Sequence, residues 1–252
     1  MSWEVITGDN REILPTLDRV DHVITDPPYL LDFSKCVTSN SRSTFINVGG
    51  EKRRGQKRAR EIGYAAFDAA CVAAIGPHLG RLAKRWCLVW HDAESGHLWR
   101  QAIGLKHVRT GMWCRSNPCP QFTGDRPAMG FELFTIQHGA GRLRWNGGGK
   151  AASYHHAQLH GSNTSERVDH PTPKPLNLML DLVADFTDPG DLVLDPFCGS
   201  GTTGVACLRL GRRFIGIEKK PEWAELARDR LRAEEANSTL HALRSGQGAL
   251  FG

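Results

Sequence analysis

The tetrapeptide Asp26-Pro27-Pro28-Tyr29 combines three groups that can hold an amine against a reactive carbon. The carboxylate of Asp26 accepts hydrogen bonds, and the carbonyl of Pro27 is a second acceptor, held in place because consecutive prolines restrict the backbone. Tyr29 adds an aromatic face on which a planar ring can stack. The preceding residues, 21–25 (DHVIT), predict a strand, so the tetrapeptide would lie at a strand's carboxyl end.

Such acceptors suit the methylation of an exocyclic amine. The amino nitrogen of adenine or cytosine is a poor nucleophile, because its lone pair is delocalised into the ring. Oxygen acceptors draw the amine toward tetrahedral geometry, and alignment with a sulfonium methyl group then supplies most of the acceleration. A base in a duplex must first be extruded, and an aromatic face can receive it. The plainer interpretation is a strand-ending turn capped by Asp26, because Asp and Pro are common in turns.

A second motif, 195–201 (DPFCGSG), predicts a glycine-rich turn between a strand and a helix. Glycine permits a positive φ and lets the backbone approach a ligand closely. The next predicted strand ends at Glu218, where a carboxylate can accept hydrogen bonds from both ribose hydroxyls of a nucleoside. An ordinary turn of an α/β protein is the alternative. The candidate cofactor residues of the turn are Asp195, Pro196, Phe197, Cys198, Gly199, Ser200 and Gly201.

A proline-rich connector, 170–175 (HPTPKP), precedes this unit. Its prolines favour an extended backbone that leads into a helix starting near Pro175. The connector is at least a rigid spacer between two regions. Its polar residues Thr172 and Lys174 could in addition reach the polar end of the cofactor.

The elements that must position these motifs alternate between strand and helix. Short apolar runs predict strands at 3–7, 21–25, 86–90, 108–114, 132–137, 192–194 and 214–217. Helical spacing of apolar residues predicts helices at 10–17, 64–82, 93–103, 175–186, 201–210 and 221–233. We expect Asn10 to cap the first helix. This alternation implies an α/β fold, with a mostly parallel twisted sheet and helices on both faces.

Two long stretches, 33–62 and 139–169, fit neither pattern and exceed the usual length of loops without secondary structure. The first contains basic residues that could follow DNA phosphates, with a merely solvated loop as the alternative. Those residues are Lys52, Arg53, Arg54, Lys57, Arg58 and Arg60. In the second stretch Arg142, Arg144 and Trp145 could contact bases, or Trp145 could anchor the loop to the core.

The composition narrows the classes of protein. With 252 residues, 40% of them hydrophobic, the chain fits a single domain. Its net charge of +5 permits a polyanionic partner without demanding one. Seven cysteines without a C-x-x-C pair argue against a zinc site or a disulfide scaffold, and we predict no metal. Neither a signal peptide nor an apolar run of about 18 residues is evident, so we expect a cytoplasmic protein without membrane contact.

The two motifs together resemble those of the β-class, circularly permuted DNA methyltransferases. Members of that family methylate N6 of adenine or N4 of cytosine with S-adenosyl-L-methionine (AdoMet), and their catalytic motif precedes the cofactor motif, as here. The resemblance implies a Rossmann-like methyltransferase fold, a target-base site at 26–29 and an AdoMet site at 195–201. It further implies that Glu218 binds the ribose and that Asp9 approaches the cofactor adenine.

The resemblance also implies roles for whole regions. Thr172 and Lys174 match the family segment around the methionine moiety of AdoMet. The stretch 113–149 is similar to small phage-type or orphan members. The regions that we expect are a catalytic half at 1–138 with the basic insertion 33–62, a target-recognition region at 139–169, an AdoMet half at 170–236 and a tail at 237–252.

We therefore expect a sequence-specific methyltransferase acting on N6 of an extruded adenine in double-stranded DNA. N4-cytosine methylation by the same site is the alternative, although the Asp-Pro-Pro-Tyr form is more typical of adenine enzymes. A non-catalytic DNA-binding protein that senses AdoMet is less favoured, because 26–29 is intact. Resemblance also suggests a homodimer, encoded by a bacterium or a phage. With no nuclease segment visible, an orphan role is expected as an alternative to a place in a restriction-modification pair.

Overall fold

The computed structural model describes residues 2–30, 67–118, 129–157 and 174–238, the single residues 127 and 240, and the backbone of 47–48 and 51–52. The strands are β1 (Trp3–Thr7), β2 (His22–Thr25), β3 (Asn47–Val48), β4 (Glu51–Lys52), β5 (Trp86–His91), β6 (Lys106–Arg115), β7 (Phe131–His138), β8 (Ser153–His156), β9 (Leu192–Asp195) and β10 (Arg213–Glu218). The α-helices are α1 (Asn10–Ile13), α2 (Ala69–Leu82), α3 (Gly96–Ile103), α4 (Leu176–Phe186), α5 (Thr202–Arg209) and α6 (Pro221–Glu235). A 3-10 turn at Leu14–Thr16 follows α1.

Eight of these strands form one sheet in the order β1-β10-β9-β2-β5-β7-β6-β8. The strands from β1 to β5 in that order pair in parallel, as do β6 and β8, whereas β7 is antiparallel to both of its neighbours. The short strands β3 and β4 pair only with each other. The predicted α/β fold with a mostly parallel sheet is therefore confirmed.

Apolar side chains fill both faces of the sheet. On one face Ile24 and Val193 pack in a core with α4, α5 and α6. On the other face Val23 and Leu194 pack in a core with α2 and α3. Every residue of β2 and of β5 is buried, as expected for parallel strands covered on both sides. In the part of the chain that is described, no helix has the length and apolar character needed to cross a bilayer.

The first helix is capped by a different residue from the one predicted. The carboxylate of Asp9 accepts a hydrogen bond from the backbone N–H of Arg11, and Asn10 is already the first helical residue. A carboxylate at this position satisfies an N–H group that has no partner inside the helix. The predicted Asn10 cap was therefore wrong by one residue.

Two helices begin later than their apolar spacing predicts. The described residues before α2 are not helical, and Asp68 caps that helix by accepting a hydrogen bond from the N–H of Cys71. The carboxylate of Asp92 binds the N–H groups of Glu94 and Ser95, so these residues form a turn and α3 starts only afterwards. In both cases an aspartate side chain sets the boundary locally.

Strand β8 lies in a stretch to which the sequence pattern assigned no structure. It pairs in parallel with β6, with Trp113 opposite Tyr154. Of its four residues only Tyr154 is buried, so the run SYHH has neither an apolar core nor a clear alternation. Part of 139–169 therefore belongs to the main sheet.

Candidate active site

The two motifs meet at one edge of the sheet, as the sequence predicted. β2 and β9 are parallel neighbours, with Val23 opposite Leu194. Asp26 directly follows β2, and Asp195 is the last residue of β9. Because the carboxyl ends of parallel neighbours lie side by side, the two motifs face the same crevice, which is where open α/β sheets bind ligands.

The turn after β9 has a backbone that only glycine adopts readily. Gly199 and Gly201 have φ angles of +50° and +79°. A Cβ atom added to Gly201 would lie 2.9 Å from the Cβ of Ala227, so α6 leaves no room for a larger residue. The N–H of Cys198 donates to the carbonyl of Ile217 at 3.0 Å, which ties the turn to β10. The turn is thus fixed in a conformation that favours glycine at 199 and 201 and packs Gly201 directly against α6.

The carboxylate of Asp195 is buried and holds the turn from within. Its Oδ1 accepts hydrogen bonds from the hydroxyl of Thr25 at 2.7 Å and from the N–H of Phe197 at 3.1 Å. Its Oδ2 accepts from the hydroxyl of Thr203 at 2.7 Å. Burial raises the pKa of Asp195 to about 6, and these hydrogen bonds oppose the rise. The side chain therefore joins β2, the turn and α5.

The carboxylate of Glu218 lies at the carboxyl end of β10, beside the glycine turn. Its Oε2 accepts a hydrogen bond from the N–H of Gly199 at 3.1 Å, and its Oε1 accepts one from the N–H of Lys220 at 2.8 Å. Burial raises its pKa, and the backbone donors oppose the rise. Each oxygen keeps a further lone pair, so the carboxylate can still accept hydrogen bonds from a diol.

Asp9 is the second residue after the edge strand β1, and it lies close to the carboxyl end of β10. The N–H of Gly8 donates to the carbonyl of Glu218 at 3.0 Å. The Asp9 carboxylate pairs with Arg11 at 2.7 Å and with Lys219 at 3.0 Å. The hydrogen bond from the Arg11 side chain is the main reason that the pKa of Asp9 lies well below its usual range.

The remaining candidate cofactor residues have mixed surroundings. The carbonyl of Pro196 accepts a hydrogen bond from the Asn10 side chain at 3.2 Å. The ring of Phe197 contacts Phe67 edge-on, with the ring centres 5.7 Å apart. Ser200 is buried, and its carbonyl accepts a hydrogen bond from Arg230 at 2.7 Å. Thr172 lies outside the described residues.

The tetrapeptide 26–29 contacts a set of charged residues that the sequence did not reveal as partners. The Lys174 ammonium lies 2.5 Å from Oδ2 of Asp26 and 2.9 Å from Oε2 of Glu132. The Tyr29 hydroxyl donates to the same Glu132 oxygen at 2.7 Å. Arg115 pairs with the other oxygen of Glu132. We call Asp26, Tyr29, Arg115, Glu132 and Lys174 the Asp26 cluster.

Aromatic rings enclose the ammonium at the centre of the Asp26 cluster. The Nζ atom of Lys174 lies 4.8 Å from the centre of the Trp90 ring and 5.5 Å from the centre of the Tyr29 ring. Such distances allow cation–π attraction, which is stronger in a desolvated site. The side chain of Lys174 is only 12% exposed, so its charge interacts with the protein more than with water.

The protonation states in the Asp26 cluster follow from burial and pairing. Burial raises the pKa of Asp26, and the charge of Lys174 opposes this. Burial acts to lower the pKa of Lys174, but the two carboxylates outweigh it and raise the pKa. Burial also acts to raise the pKa of Glu132, but Lys174, the Tyr29 hydroxyl and Arg115 lower it to about 2. Glu132 and Lys174 are therefore both charged near neutral pH.

Glu132 and Trp90 were missed because each lies inside a predicted strand, and Arg115 was missed because it directly follows one. The only local signal was a glutamate in the run FELFTIQH, where it is the one acidic residue of the strand. A buried charge needs a partner, and that partner is distant in sequence. The spacing of residues along one strand gives no means of finding it.

The candidate DNA-binding residues fall partly outside the described residues. The side chains of the six basic candidates in the first stretch all lie outside the described residues. These candidates are Lys52, Arg53, Arg54, Lys57, Arg58 and Arg60. Arg142 is exposed, and Arg144 pairs with Asp188 at 3.2 Å. The Trp145 ring packs edge-on against Phe186, with centres 4.8 Å apart, which matches the anchoring alternative.

Similarity to known proteins identifies the family. The family model N6_N4_Mtase, described as DNA methylase, matches residues 89–229, more than half of the chain. This chain belongs to that DNA methylase family. The Type II methyltransferase M2.DpnII of Streptococcus pneumoniae is 31% identical to this DNA methylase over 247 residues, which cover 86% of this chain and 84% of that protein. The Type II methyltransferase M.HinfI of Haemophilus influenzae is 24% identical over 255 residues, which cover 92% and 69%.

Solved structures share the fold of this DNA methylase. The M1.HpyAVI–SAM complex has a TM-score of 0.61 at 24% identity, and the match covers 91% of this chain and 100% of that one. The PvuII DNA methyltransferase, titled cytosine-N4-specific, has a TM-score of 0.67 at 15% identity, covering 97% and 91%. These likenesses establish the AdoMet-dependent methyltransferase fold.

The DNA methylase uses AdoMet, and its own residues fit that cofactor. The Glu218 carboxylate, with a spare lone pair on each oxygen, suits the ribose diol. The bare backbone at Gly199 and Gly201 suits close approach by a ligand. When bound, AdoMet supplies a methyl group carried on a sulfonium. The protein has only to position the accepting amine and exclude water from it.

Proposed function

We propose that this DNA methylase transfers the methyl group to N6 of adenine, in a base extruded from double-stranded DNA at a specific sequence. The observation that supports the proposal most directly is the environment of Oδ1 of Asp26. This atom is buried beside the cofactor edge of the sheet, and it has no hydrogen-bond partner among the described residues. Buried carboxylate oxygens are normally paired, and an exocyclic amine brings the missing donor.

Each residue of the tetrapeptide has a role in this proposal. The target amine donates one hydrogen bond to Asp26 and a second to the carbonyl of Pro27, and Pro28 stiffens that carbonyl. The Tyr29 ring stacks on the extruded base. The amine proton leaves once the nitrogen has gained the methyl group and is cationic, so Asp26 need not be a strong base. The Asp-Pro-Pro-Tyr form resembles that of adenine enzymes, which favours N6 of adenine over N4 of cytosine.

The AdoMet contacts that we propose follow the geometry of the β9 and β10 ends. Glu218 binds the ribose hydroxyls, Asp9 lies toward the cofactor adenine, and the turn 195–201 follows the cofactor with its backbone. Within that turn Asp195 stabilises the backbone and does not contact the cofactor directly, because its oxygens already accept hydrogen bonds from three protein donors. The contacts of Lys174 support a role at the target base in place of the methionine end.

The wider partners remain predictions of the same proposal. We infer double-stranded DNA as the substrate, contacted by the basic loop of 33–62 and by Arg142 or Arg144. Resemblance to the β-class suggests a homodimer and a target-recognition region within 139–169. A cytoplasmic location would give the enzyme access to both DNA and AdoMet.

Transfer of labelled methyl groups tests the proposed reaction. Unmethylated bacterial DNA is incubated with the enzyme and labelled AdoMet, then digested to nucleosides and separated. We expect label in N6-methyladenine. Label in N4-methylcytosine would contradict the assignment of the base, and unlabelled DNA would contradict the proposed activity altogether.

Replacement of Asp26 tests the residue that carries the proposal. Asp26→Ala removes the acceptor, and we expect the single-turnover rate to fall by about 10²-fold or more while AdoMet still binds. Asp18→Ala is the matched control, because Asp18 is an exposed aspartate close in sequence. Near-normal turnover of Asp26→Ala would refute the assigned role.

A further inference from the structure

The two oxygens of the Asp26 carboxylate have different surroundings. Oδ2 is bound by the Lys174 ammonium at 2.5 Å. Oδ1 is buried and has no hydrogen-bond partner among the described residues. An unpaired buried acceptor costs free energy until a donor arrives, so one oxygen is occupied by the protein and the other is open to a ligand.

The Lys174 ammonium is itself fixed from the opposite side. Glu132, on β7, holds it at 2.9 Å, and the Trp90 ring lies beneath it. Glu132 is in turn bound by the Tyr29 hydroxyl and by Arg115. The cluster therefore contains two carboxylates, Asp26 and Glu132, and two cations, Lys174 and Arg115, and its formal charge sums to zero.

We propose that Lys174 is a positioning residue that keeps Asp26 ionised, with Oδ1 reserved for the target amine, and that Glu132 is a positioning residue that holds Lys174 in place. The inference rests on the proposed function and extends it to the residues behind the acceptor. Lys174 binds one oxygen of Asp26 and so aims the other at the substrate. Glu132 holds Lys174 in place through an ion pair at 2.9 Å.

The charge of Lys174 matters because Oδ1 of Asp26 is buried, although the Asp26 side chain as a whole is 29% exposed. A protonated carboxyl would carry a hydrogen on one oxygen, and it would be a weaker acceptor for the amine. Burial and the negative charge of Glu132 both favour that protonated form, whereas Lys174 opposes it. The Tyr29 hydroxyl also favours the ionised form of Asp26. From β9, the carboxyl of Asp195 is close enough to interact with Asp26 through its charge.

The pH dependence of the single-turnover rate distinguishes this role from simple packing. In Lys174→Gln the pKa of Asp26 should rise, because its cation is lost while burial and Glu132 remain. Activity that needs the ionised carboxylate is then lost at a higher pH as the solution is acidified. We call the fall of the rate at low pH the acid limb of the profile. We expect the midpoint of the acid limb to move upward by about one to three pH units, the usual effect of removing a close opposite charge. Lys174→Arg keeps the charge, and its acid limb should stay close to that of the wild type.

A double variant tests the direction in which the acid limb moves. Adding Glu132→Gln to Lys174→Gln removes the negative charge that favours protonation of Asp26, so the acid limb should move back down. If the two residues only packed the site, the second substitution would add damage and leave the limb where it was. An acid limb in Lys174→Gln equal to that of the wild type, or one in the double variant as high as in Lys174→Gln, would overturn the inference.

Two further measurements keep this inference separate from folding and from the proposed function. AdoMet affinity of each variant shows whether the fold is retained. If Lys174→Gln does not fold, Glu132→Gln alone must shift the acid limb to lower pH, and an unshifted limb contradicts the inference. The assay counts label in total DNA, whichever base receives it. A wild-type enzyme that transfers no label defeats the proposed function, whereas normal transfer with unmoved acid limbs defeats only the inference.

Discussion

The hydroxyl of Thr25 donates a 2.7 Å hydrogen bond to Oδ1 of Asp195, and this contact joins β2 to β9. Thr25 is the residue immediately before Asp26, and Asp195 is the first residue of the glycine-rich turn. Residues 170 positions apart in sequence therefore fix the relative placement of the acceptor and the cofactor site. Both side chains are buried, so water cannot replace either partner.

Thr25→Val should uncouple the two strands. Valine keeps the shape of threonine but removes a donor from a buried carboxylate, which costs about 1 to 3 kcal/mol. We expect a lower free energy of unfolding in urea together with weaker AdoMet binding. Thr25→Ser keeps the hydroxyl and should retain most of both. Equal stability of the valine and serine variants would show that the contact contributes little.

The raised pKa of Asp195 predicts a pH-dependent stability. The folded state holds this proton up to about pH 6, whereas the carboxyl ordinarily titrates at 3.8. The folded state thus binds more protons between these values, so the group favours folding at low pH and loses that contribution as the pH rises through 6. Asp195→Asn cannot titrate. The unfolding free energy of the wild type minus that of Asp195→Asn should fall by about 3 kcal/mol over this range, and a constant difference would contradict the pKa.

Gly201→Ala should cost more than the same change at Gly211. Both glycines have a positive φ, +79° and +75°, so alanine is strained by about 1 to 2 kcal/mol at either position. Only at Gly201 does the added Cβ meet a neighbour, Ala227 at 2.9 Å, and nothing lies within 4 Å at Gly211. We expect thermal unfolding to show the larger loss for Gly201→Ala, and calorimetry to show lost AdoMet binding in that variant alone. Similar losses in both variants would mean that the contact with α6 is unimportant.

Glu218→Gln should weaken AdoMet binding. The substitution keeps the size of the side chain but removes its charge and replaces one acceptor oxygen with a donor. A charged hydrogen bond contributes about 1.5 to 3 kcal/mol, so the Kd should rise by about 10-fold to 100-fold in isothermal titration. Glu222→Gln, an exposed residue in the first turn of α6, is the matched control. An unchanged Kd for Glu218→Gln would remove this residue from the cofactor site.

Neutralising part of the basic loop should weaken DNA binding at every sequence. If Arg54, Lys57 and Arg58 each contact a phosphate, replacing all three with glutamine should reduce the slope of log Kobs against log salt by about 2 to 3. AdoMet affinity should be unchanged, which controls for folding. A salt slope equal to that of the wild type would leave the loop as a solvated segment.

Much of the architecture could be predicted because its signals are local. Strand β2 and the turn after β9 are specified by neighbouring residues, and the rule that parallel strands end together brings Asp26 beside Asp195. Helix boundaries were less accurate, because single aspartate side chains such as Asp9 and Asp92 set them. Strand β8 was missed because its pairing with β6, and not its own composition, makes it a strand.

The cluster behind Asp26 could not be predicted, since its contacts join distant residues. The Tyr29 hydroxyl and Glu132 are 103 positions apart, and Lys174 and Asp26 are 148 apart. Neither pair has a spacing that any helix or strand imposes. Lys174 was expected at the cofactor because its motif matches that segment in the family that the sequence resembles, but its ammonium contacts the carboxylate of Asp26 in the structure.

The complete burial of β2 has a consequence for how the enzyme tolerates change. A central strand covered on both faces exchanges its amide hydrogens only when the whole domain opens, so the backbone that carries Asp26 belongs to the most stable cooperative unit. Substitutions far from the crevice that lower global stability should then reduce the amount of folded enzyme in the cell. Each enzyme molecule that remains folded would keep Asp26 in its position at the end of β2, and the turnover per folded molecule would be unchanged.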